Sequence, residues 1–339
     1  QQVAQLACGA GSLVYGNLLD GGAQTGVKAR DNSVVRDNII RTNSCVTNGY
    51  GVAGYSQDYI RIYNNEIIAY NGRGIHLSEQ SVGWRVHDNY VEIREIGNAE
   101  YPTLQTHGIK FEATTASHVW NNDVVSVSRT SGSLHGQPTA LNLYLPANSG
   151  NIVFNGKFTA RNEAAEPAWS LYAIGSDGTG SEISRCRFYT NVYSFGVPWD
   201  GASNHTVRES DFRKINPTDN VTFAYLYAGG NQVALNNRFI DCAFYGINPR
   251  SAVCYYYGED SYSVGWSLNL TAAAGGAPAA GAAYTIRDRF GAVVATGLAD
   301  AQGTITRDLM EFTTYHPDNS NTKTTTDYGP YTVQITSGG

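Results

Sequence analysis

A six-residue hydrophobic pattern recurs along the chain: a β-branched residue, two polar residues, a small polar residue, any residue and then an apolar one. The apolar positions on either side of the polar ones are typical of short strands that flank a bend, and no helical period connects the copies. The copies lie 24 to 34 residues apart, which is the size of one solenoid coil. The fourth positions of eight copies are Asn38, Asn65, Asn89, Asn122, Gly156, Cys186, Ser210 and Asn237.

A second alternating segment follows each copy, as in Gly74–Leu77 and Gly108–Phe111. Two strands per coil in a fixed order predict stacked parallel sheets rather than alternating strands and helices. The Asn residues at the bend are expected to form a ladder, in which their side chains bond the backbone of neighbouring coils. The sequence therefore predicts an all-β fold, a right-handed parallel β-helix of about eight coils over residues 31–265.

Both ends of the chain depart from this repeat. Residues 1–30 contain the apolar stretch Ser12–Leu19, which we interpret as an N-terminal cap or as a strand donated to a neighbouring molecule. In residues 266–339, a hairpin signal over 284–297 and a closing strand at 331–335 predict a small immunoglobulin-like β-sandwich. A donated strand that completes the terminal domain of the next subunit predicts self-association into a polymer.

The composition fits turn-rich β structure, with 37 Gly and 23 Tyr against only 15% charged residues. The net charge of -6 argues against a nucleic-acid partner, because such partners require a clustered basic surface. No run of about 18 apolar residues occurs, so no membrane span is expected. The chain opens at Gln1 without a leader, as a mature secreted protein does, which predicts an extracellular or cell-surface location.

The five cysteines lack a close CxxC spacing, and the histidines share no ligand spacing, so neither a metal nor a cofactor is expected. Cys8 and Cys45 are the preferred disulfide pair, because this bond would join the N-terminal segment to the first coil. Three sequons make Asn204, Asn220 and Asn269 candidate glycosylation sites on the exterior.

One row of polar residues is a candidate for catalysis. If the apolar residues of each strand face the core, then His76, Lys110 and Asn142 point outward from successive coils. Coils stacked about 4.8 Å apart would bring these side chains within reach of one another, with Glu112 nearby. His76 as a general base and Lys110 as a neutralising cation would support proton abstraction beside a uronate carboxylate. The alternative is a solvated polar sheet on which Lys110 pairs with Glu112 or Glu79.

The same outward face is rich in aromatic residues. Such rings either bind sugar faces or a protein neighbour, or they pack only on one another. The candidates are Tyr55, Tyr144, Tyr172, Trp199, Tyr225 or Tyr227, and Tyr256.

With its Asn-x-Ile and Gly-x-Gly-Ile patterns at Asn65–Ile67 and Gly72–Ile75, the chain resembles the pectate-lyase-like superfamily over about residues 30–265. The resemblance implies the parallel β-helix fold but no single function, because that superfamily includes lyases, glycosidases, epimerases, phage tailspikes, adhesins and inert surface proteins. Its calcium-dependent lyases need several acidic ligands on this face, and its polygalacturonases need aspartates around a Gly-His-Gly; this sequence has neither. Residues 266–339 resemble the immunoglobulin-like modules of surface β-helix proteins, which serve as spacers or attachment units.

Two function classes follow from these patterns. The preferred hypothesis is a secreted structural protein, a surface, sheath or filament subunit with a glycan- or protein-binding aromatic face, because the catalytic signatures compared above are missing. The alternative is a polysaccharide-active enzyme of the lyase or epimerase type that acts on an acidic glycan. Its residues would be His76, Lys110, Glu112 and Asn142.

Overall fold

The computed structural model describes most of the chain, and for residues 144, 172–176, 197, 198 and 227 it describes the backbone alone. The described residues contain strands, bends and turns and no helix. They are residues 4–21, 24–42, 49–78, 80–94, 106–128, 139–144, 150–163, 172–176, 180–198, 203–227, 233–254, 258–317 and 322–336.

The strands that build the body of the molecule are short. In chain order they are β1 (Ala4–Ala7), β2 (Leu13–Tyr15), β3 (Leu18–Gly21), β4 (Thr25–Lys28), β5 (Val34–Arg36), β6 (Ile39–Thr42), β7 (Gly49–Tyr55), β8 (Arg61–Tyr63), β9 (Glu66–Tyr70), β10 (Gly72–Ser78), β11 (Arg85–His87), β12 (Tyr90–Arg94), β13 (His107–Glu112), β14 (His118–Trp120), β15 (Asp123–Ser128), β16 (Thr139–Tyr144), β17 (Ile152–Phe154), β18 (Lys157–Asn162), β19 (Tyr172–Ser176), β20 (Glu182–Ser184), β21 (Arg187–Thr190), β22 (Tyr193–Pro198), β23 (Thr206–Arg208), β24 (Asp211–Lys214), β25 (Thr222–Tyr227), β26 (Val233–Ile240), β27 (Ala243–Tyr245) and β28 (Asn248–Cys254). The terminal strands are β29 (Glu259–Thr271), β30 (Ala273–Ala274), β31 (Ala277–Pro278), β32 (Ala283–Arg287), β33 (Val293–Leu298), β34 (Thr304–His316), β35 (Thr324–Asp327) and β36 (Thr332–Thr336).

Three parallel sheets run the length of the body, and each coil contributes one strand to each sheet in turn. Sheet A runs from β1 through β4, β7 and β10 to β28, sheet B from β2 through β5 and β8 to β29, and sheet C from β3 through β6 and β9 to β27. One apolar core fills the space between the sheets, with side chains such as Ile62, Ile75 and Val91 fully buried. The predicted parallel β-helix is confirmed.

The predicted Asn ladder joins the coils of the first half. Asn89 is representative: its Nδ2 donates to the Ile62 carbonyl and to Asn122 Oδ1, while its own Oδ1 accepts bonds from the backbone and side chain of Asn65. The residue just before each ladder position takes a left-handed conformation, as Asp88 does with φ 55°. The ladder therefore pairs polar groups at a buried bend, where unpaired groups would be costly.

Stacked phenylalanines replace this ladder in the second half. Phe158, Phe188, Phe212 and Phe244 lie on successive coils, with ring centroids 5.0 to 5.5 Å apart. At the ladder position these coils carry Gly156, Cys186 and Ser210, as the sequence pattern indicates.

Two parts of the repeat differ from the sequence prediction. Residues 12–19, expected to fit no coil, form β2 and β3, which pair in register with the next coil, and Asn17 extends the ladder by donating to Asn38 Oδ1. The eighth copy is also displaced: Phe239 pairs with Val207, so Cys242 and not Asn237 follows Ser210 at the bend. Asn237 instead accepts a bond from the His205 amide, in a second row of polar contacts.

The terminal region is antiparallel and has a small core of its own, which includes Tyr284, Ile286 and Leu309. Strand β29 starts within sheet B and then pairs along its whole length with β34. The shared strand ties the terminal region to the end of the β-helix. Its assignment as an immunoglobulin-like sandwich stays a prediction.

The sequence-predicted modification sites lie as follows. Asn204, Asn220 and Asn269 are all exposed, which is compatible with glycosylation. Cys8 carries a free thiol that packs against the core, and burial raises its pKa. The disulfide with Cys45 stays a prediction. Its expected partner Cys45 lies outside the described residues.

Candidate active site on the outer face of sheet A

The predicted polar row exists on the outer face of sheet A. His76 on β10 pairs in register with Lys110 on β13, and Lys110 pairs with Asn142 on β16. The strand alternation that buries Ile75 and Leu77 in the core turns these three side chains to the opposite face. The sequence prediction of their alignment is therefore confirmed.

These side chains are not solvated, although they point away from the core. His76, Lys110 and Asn142 are each only 2% exposed. A buried lysine is unusual in a protein, because removing an ammonium group from water is costly unless it has partners. Because these side chains are buried, the row is not the solvated polar sheet that the sequence analysis gave as the alternative.

Glu112 joins the row into one cluster. Its Oε2 lies 2.7 Å from His76 Nε2 and 3.2 Å from Lys110 Nζ, so a single carboxylate oxygen contacts both groups. Asn142 Nδ2 lies 3.4 Å from His107 Nδ1 at the edge of the cluster. The four candidate catalytic residues therefore share one site.

Burial and charge set the protonation states. Burial lowers the pKa of His76 to about 3, which outweighs its hydrogen bond with Glu112 and makes the imidazole neutral near pH 7. Burial alone would raise the pKa of Glu112, but the His76 hydrogen bond and the Lys110 charge lower it to about 2. A neutral imidazole thus faces a carboxylate that stays ionised.

The tautomer of His76 follows from this pairing. Because the Glu112 carboxylate can only accept, His76 Nε2 carries the proton and Nδ1 carries the lone pair. His76 Nδ1 is buried and has no hydrogen-bond partner among the described residues. The site therefore contains a buried base whose other ring nitrogen is held by Glu112.

Arg73, Tyr50 and His107 complete the cluster and were missed by the sequence analysis. Arg73 pairs in register with Tyr50 on one side and with His107 on the other, and its Nη1 donates to the Tyr50 hydroxyl over 2.7 Å. The Tyr50 ring stacks on His76 with centroids 5.3 Å apart. Burial, together with the charges of Lys110 and Arg73, lowers the pKa of His107 well below its usual value.

The alternation of inward and outward side chains is interrupted at a glycine in these strands, which is why the sequence analysis did not predict Arg73, Tyr50 and His107. A Cβ at Gly74 would lie 2.2 Å from Val91 Cγ1 and 2.6 Å from the Gly108 carbonyl oxygen, so only glycine fits there. The simple alternation that predicts His76 stops at this glycine, and Arg73 faces outward beyond it. The glycines that open the predicted strands, Gly51, Gly74 and Gly108, were the available signal.

The predicted aromatic face is described only in part. Tyr55 is half-buried and packs edge-on against His76, whereas Tyr225 is buried and lies against Tyr193. The sequence analysis expected Tyr225 on an exposed sugar-binding surface, but its side chain is buried. The side chains of Tyr144, Tyr172 and Tyr227, and all of Trp199 and Tyr256, lie outside the described residues.

Across the described part of the chain, no three His, Cys, Asp or Glu side chains are grouped to hold a metal ion. The same residues include no helix long and apolar enough to cross a membrane.

The sequence matches no protein-family model, and no curated protein matches it. Similar solved structures include the alginate lyase from Paenibacillus sp. str. FPU-7, at 14% identity and a TM-score of 0.42, covering 74% of this chain and 93% of that chain. Geobacillus virus E2 ORF18 is 12% identical with a TM-score of 0.34, covering 95% of this chain and 68% of that chain. The enzymatically active domain of bacteriophage CBA120 tailspike protein 2 is 8% identical with a TM-score of 0.35, covering 96% and 66%. These likenesses extend to the fold alone.

Proposed function

We propose that this protein is a polysaccharide-active enzyme of the lyase or epimerase type, which acts on an acidic glycan at the sheet A cluster. One observation carries the proposal: a buried His76 Nδ1 that has no partner among the described residues, with the ring oriented by Glu112 and the buried Lys110 ammonium beside that carboxylate. A purely structural face gains nothing from such groups, since each buried polar atom without a partner costs about 1–3 kcal/mol. The sequence-based preference for a noncatalytic protein is therefore replaced here.

The charges of the cluster suit an anionic substrate. Arg73 has no carboxylate partner among the described residues, and its Nε is buried without a hydrogen bond. Asn142 Oδ1 is likewise buried and unpaired among those residues. A uronate brings both a carboxylate for the cation and hydroxyl groups for the amide, so it would satisfy these atoms together.

The chemistry follows from the two roles. His76 Nδ1 takes the proton from the carbon next to the uronate carboxylate, while Arg73 and Lys110 stabilise the charge that develops on that carboxylate. In a lyase the electron pair forms a carbon–carbon double bond, the glycosidic C–O bond breaks, and the His76 proton passes to the leaving oxygen. In an epimerase a water molecule on the opposite face donates a proton to the same carbon, and the proton held by His76 passes to solvent.

Turnover on a panel of uronate polysaccharides tests the proposal. A lyase produces unsaturated uronate ends, which absorb ultraviolet light, whereas an epimerase in deuterated water incorporates deuterium without cleaving the chain. We expect His76→Gln and Lys110→Met each to lower the rate by about 100-fold or more.

His87→Gln is the matched control, because His87 is a partly buried, ring-stacked histidine on sheet B. It should leave the rate unchanged. Wild-type protein that neither cleaves nor exchanges any of these glycans would reject the enzymatic proposal and favour a surface or filament subunit. Equal losses in the His87 and His76 variants would also reject it.

Since acidic polysaccharides occur outside cells, the proposal includes an extracellular location.

A further inference from the structure

A second cleft lies on the same coils, at the bend where the chain enters sheet B. It encloses about 560 Å³, within the range of small-ligand sites, and all of its lining residues are described. Arg61, Arg85 and His118 line it from neighbouring strands of sheet B, and Tyr59 lines it at the bend. None of these residues belongs to the sheet A cluster.

The two arginines of the cleft have no carboxylate partner among the described residues. Arg61 and Arg85 pair in register on neighbouring strands, and His118 follows in the same row, so the two guanidinium groups extend from backbones about 4.8 Å apart. Like charges directly opposite each other destabilise a sheet. Neither arginine forms an ion pair or hydrogen bond with a described side chain. Some arginines elsewhere on the β-helix are paired, as Arg94 of sheet C is with Glu92.

Tyr59 is unusual in both exposure and backbone conformation. Its ring is 57% exposed, and its backbone takes a left-handed φ of 57°, which is rare for a bulky residue. Neighbouring coils place the smaller residues Asn32, Gly83 and Ala116 at left-handed bends of the same kind. Tyr59 therefore keeps a strained backbone conformation at the one of these bends where its ring lines the cleft, which is typical of a functional position.

Gly83 provides the seat for this ring. A Cβ at Gly83 would lie 2.7 Å from two ring carbons of Tyr59, so the ring rests directly against the glycine. The nearby carboxylate of Asp58 is turned to the backbone, where its Oδ1 accepts a bond from the Val82 amide. The cleft thus combines an exposed aromatic ring with two arginines that no described carboxylate neutralises.

We propose that this cleft is a second, noncatalytic site that binds an anionic polysaccharide chain. Guanidinium groups bind carboxylates and sulfates with paired hydrogen bonds, and an exposed aromatic ring stacks on the apolar face of a sugar. The site shares the substrate class of the proposed enzyme but does not depend on its activity. It would hold an acidic glycan at the start of the sheet B strands, outside the sheet A cluster.

Binding measured by calorimetry in the wild-type protein and in the His76→Gln variant tests this proposal. The probes are an oligogalacturonate, a sulfated carrageenan oligosaccharide, a neutral glucan oligosaccharide and inorganic polyphosphate. In both proteins, we expect Arg61→Gln/Arg85→Gln to weaken oligogalacturonate binding about tenfold and Tyr59→Asn to weaken it several-fold. Asn tolerates the left-handed bend, as Asn32 shows, so this substitution removes the ring without new strain.

The control variant Arg41→Gln/Arg161→Gln removes two exposed arginines of sheet C that are paired with carboxylates. It should leave the affinity unchanged, and the neutral glucan should not bind. Whether the carboxylated or the sulfated probe binds more tightly identifies the preferred anion. Equal weakening by the control, polyphosphate binding that Tyr59→Asn does not change, or loss of binding on His76→Gln alone would each overturn the second site. Binding here without turnover would leave this site standing and reject the proposed enzyme.

Discussion

The two halves of the β-helix are held together by different interactions at the same bend. In the first half, Asn38 to Asn122 exchange directed hydrogen bonds from coil to coil, whereas in the second half Phe158 to Phe244 stack their rings. Ring stacking is favourable but tolerates small shifts, while a hydrogen bond fixes the relative position of two coils. The candidate active site lies on the coils of the first half or directly beside them.

This difference suits the chemistry of the site. His76, Lys110 and Glu112 come from two coils and must meet within 2.7 to 3.2 Å. A functional cluster of this kind needs supporting interactions that hold its elements to a fraction of an ångström. We infer that the Asn ladder fixes the register that the cluster requires, and the following predictions test that distinction.

The largest effect on stability is expected from the ring stack. Phe188→Ala removes a fully buried ring that stacks on both Phe158 and Phe212, and should lower the free energy of unfolding by about 3–5 kcal/mol. Urea denaturation measures this loss. Phe290→Ala is the control, because its ring is 66% exposed and should matter little. Similar losses in the two variants would mean that the stack does not stabilise the second half.

A somewhat smaller loss of stability, but a larger loss of function, is expected from the ladder. Asn89→Ala removes the side-chain bonds to the Ile62 carbonyl and from the Asn65 amide, at a cost of about 2–4 kcal/mol. Because these bonds fix the coil that carries His76, turnover should also fall at temperatures where the variant is folded. Asn17→Ala, at the exposed end of the ladder, is the control. If Phe188→Ala lowers turnover as much as Asn89→Ala does, the ladder has no special role in positioning the site.

The sequence was sufficient to predict the repeat. A buried bend requires a side chain, such as Asn, that can form hydrogen bonds with the backbone groups of its own coil and of the neighbouring coils. It also predicted the alignment of His76, Lys110 and Asn142, since strand alternation and coil stacking together leave little freedom. Asn237 was assigned to the wrong row because it too lies at a bend and accepts a backbone bond, from His205.

The burial of the site was beyond sequence reasoning. Whether an outward-facing side chain such as Lys110 meets water depends on segments that are distant along the chain, which no local pattern reports. The first coil was missed for a more local reason. Its bend carries Gly16 where the other coils have Asp, Asn, Arg or Glu, so Asn17 did not stand out as part of the ladder.

The histidines of the cluster should make the stability of the first half of the β-helix depend on pH. The pKa of His76 is lowered to about 3 and that of His107 is also lowered, so their contribution to stability is complete above about pH 6.5 and is lost as the pH falls. Glu112, with a pKa lowered to about 2, adds to this loss only below about pH 4.5. Between these two values the free energy of unfolding should therefore fall with pH mainly through histidines.

Denaturation between pH 7 and pH 4.5 measures this slope, and His76→Gln/His107→Gln should make it shallower. Hydrogen exchange at the lower pH should increase first in the coils around β10 and β13. His87→Gln is the control for removing a histidine outside the cluster, and a slope change as large as that of the double variant would show that the effect is not specific to the cluster. An unchanged slope in the double variant would show that these histidines do not control acid stability.

The smallest effect is expected at Gly156, where the ladder gives way to the ring stack. A Cβ at Gly156 would lie 2.5 Å from the Phe158 ring, so the ring occupies the space that an Asn side chain would need. Gly156→Asn should therefore cost about 1–3 kcal/mol, although it restores the residue type of the ladder. Combining it with Phe158→Val should recover part of that cost, because the smaller side chain makes room for the amide beside Asn122. Urea denaturation of the two single variants and the double variant gives the coupling between the sites. Strictly additive losses would show that the ring does not exclude the ladder residue, and that the two halves differ for another reason.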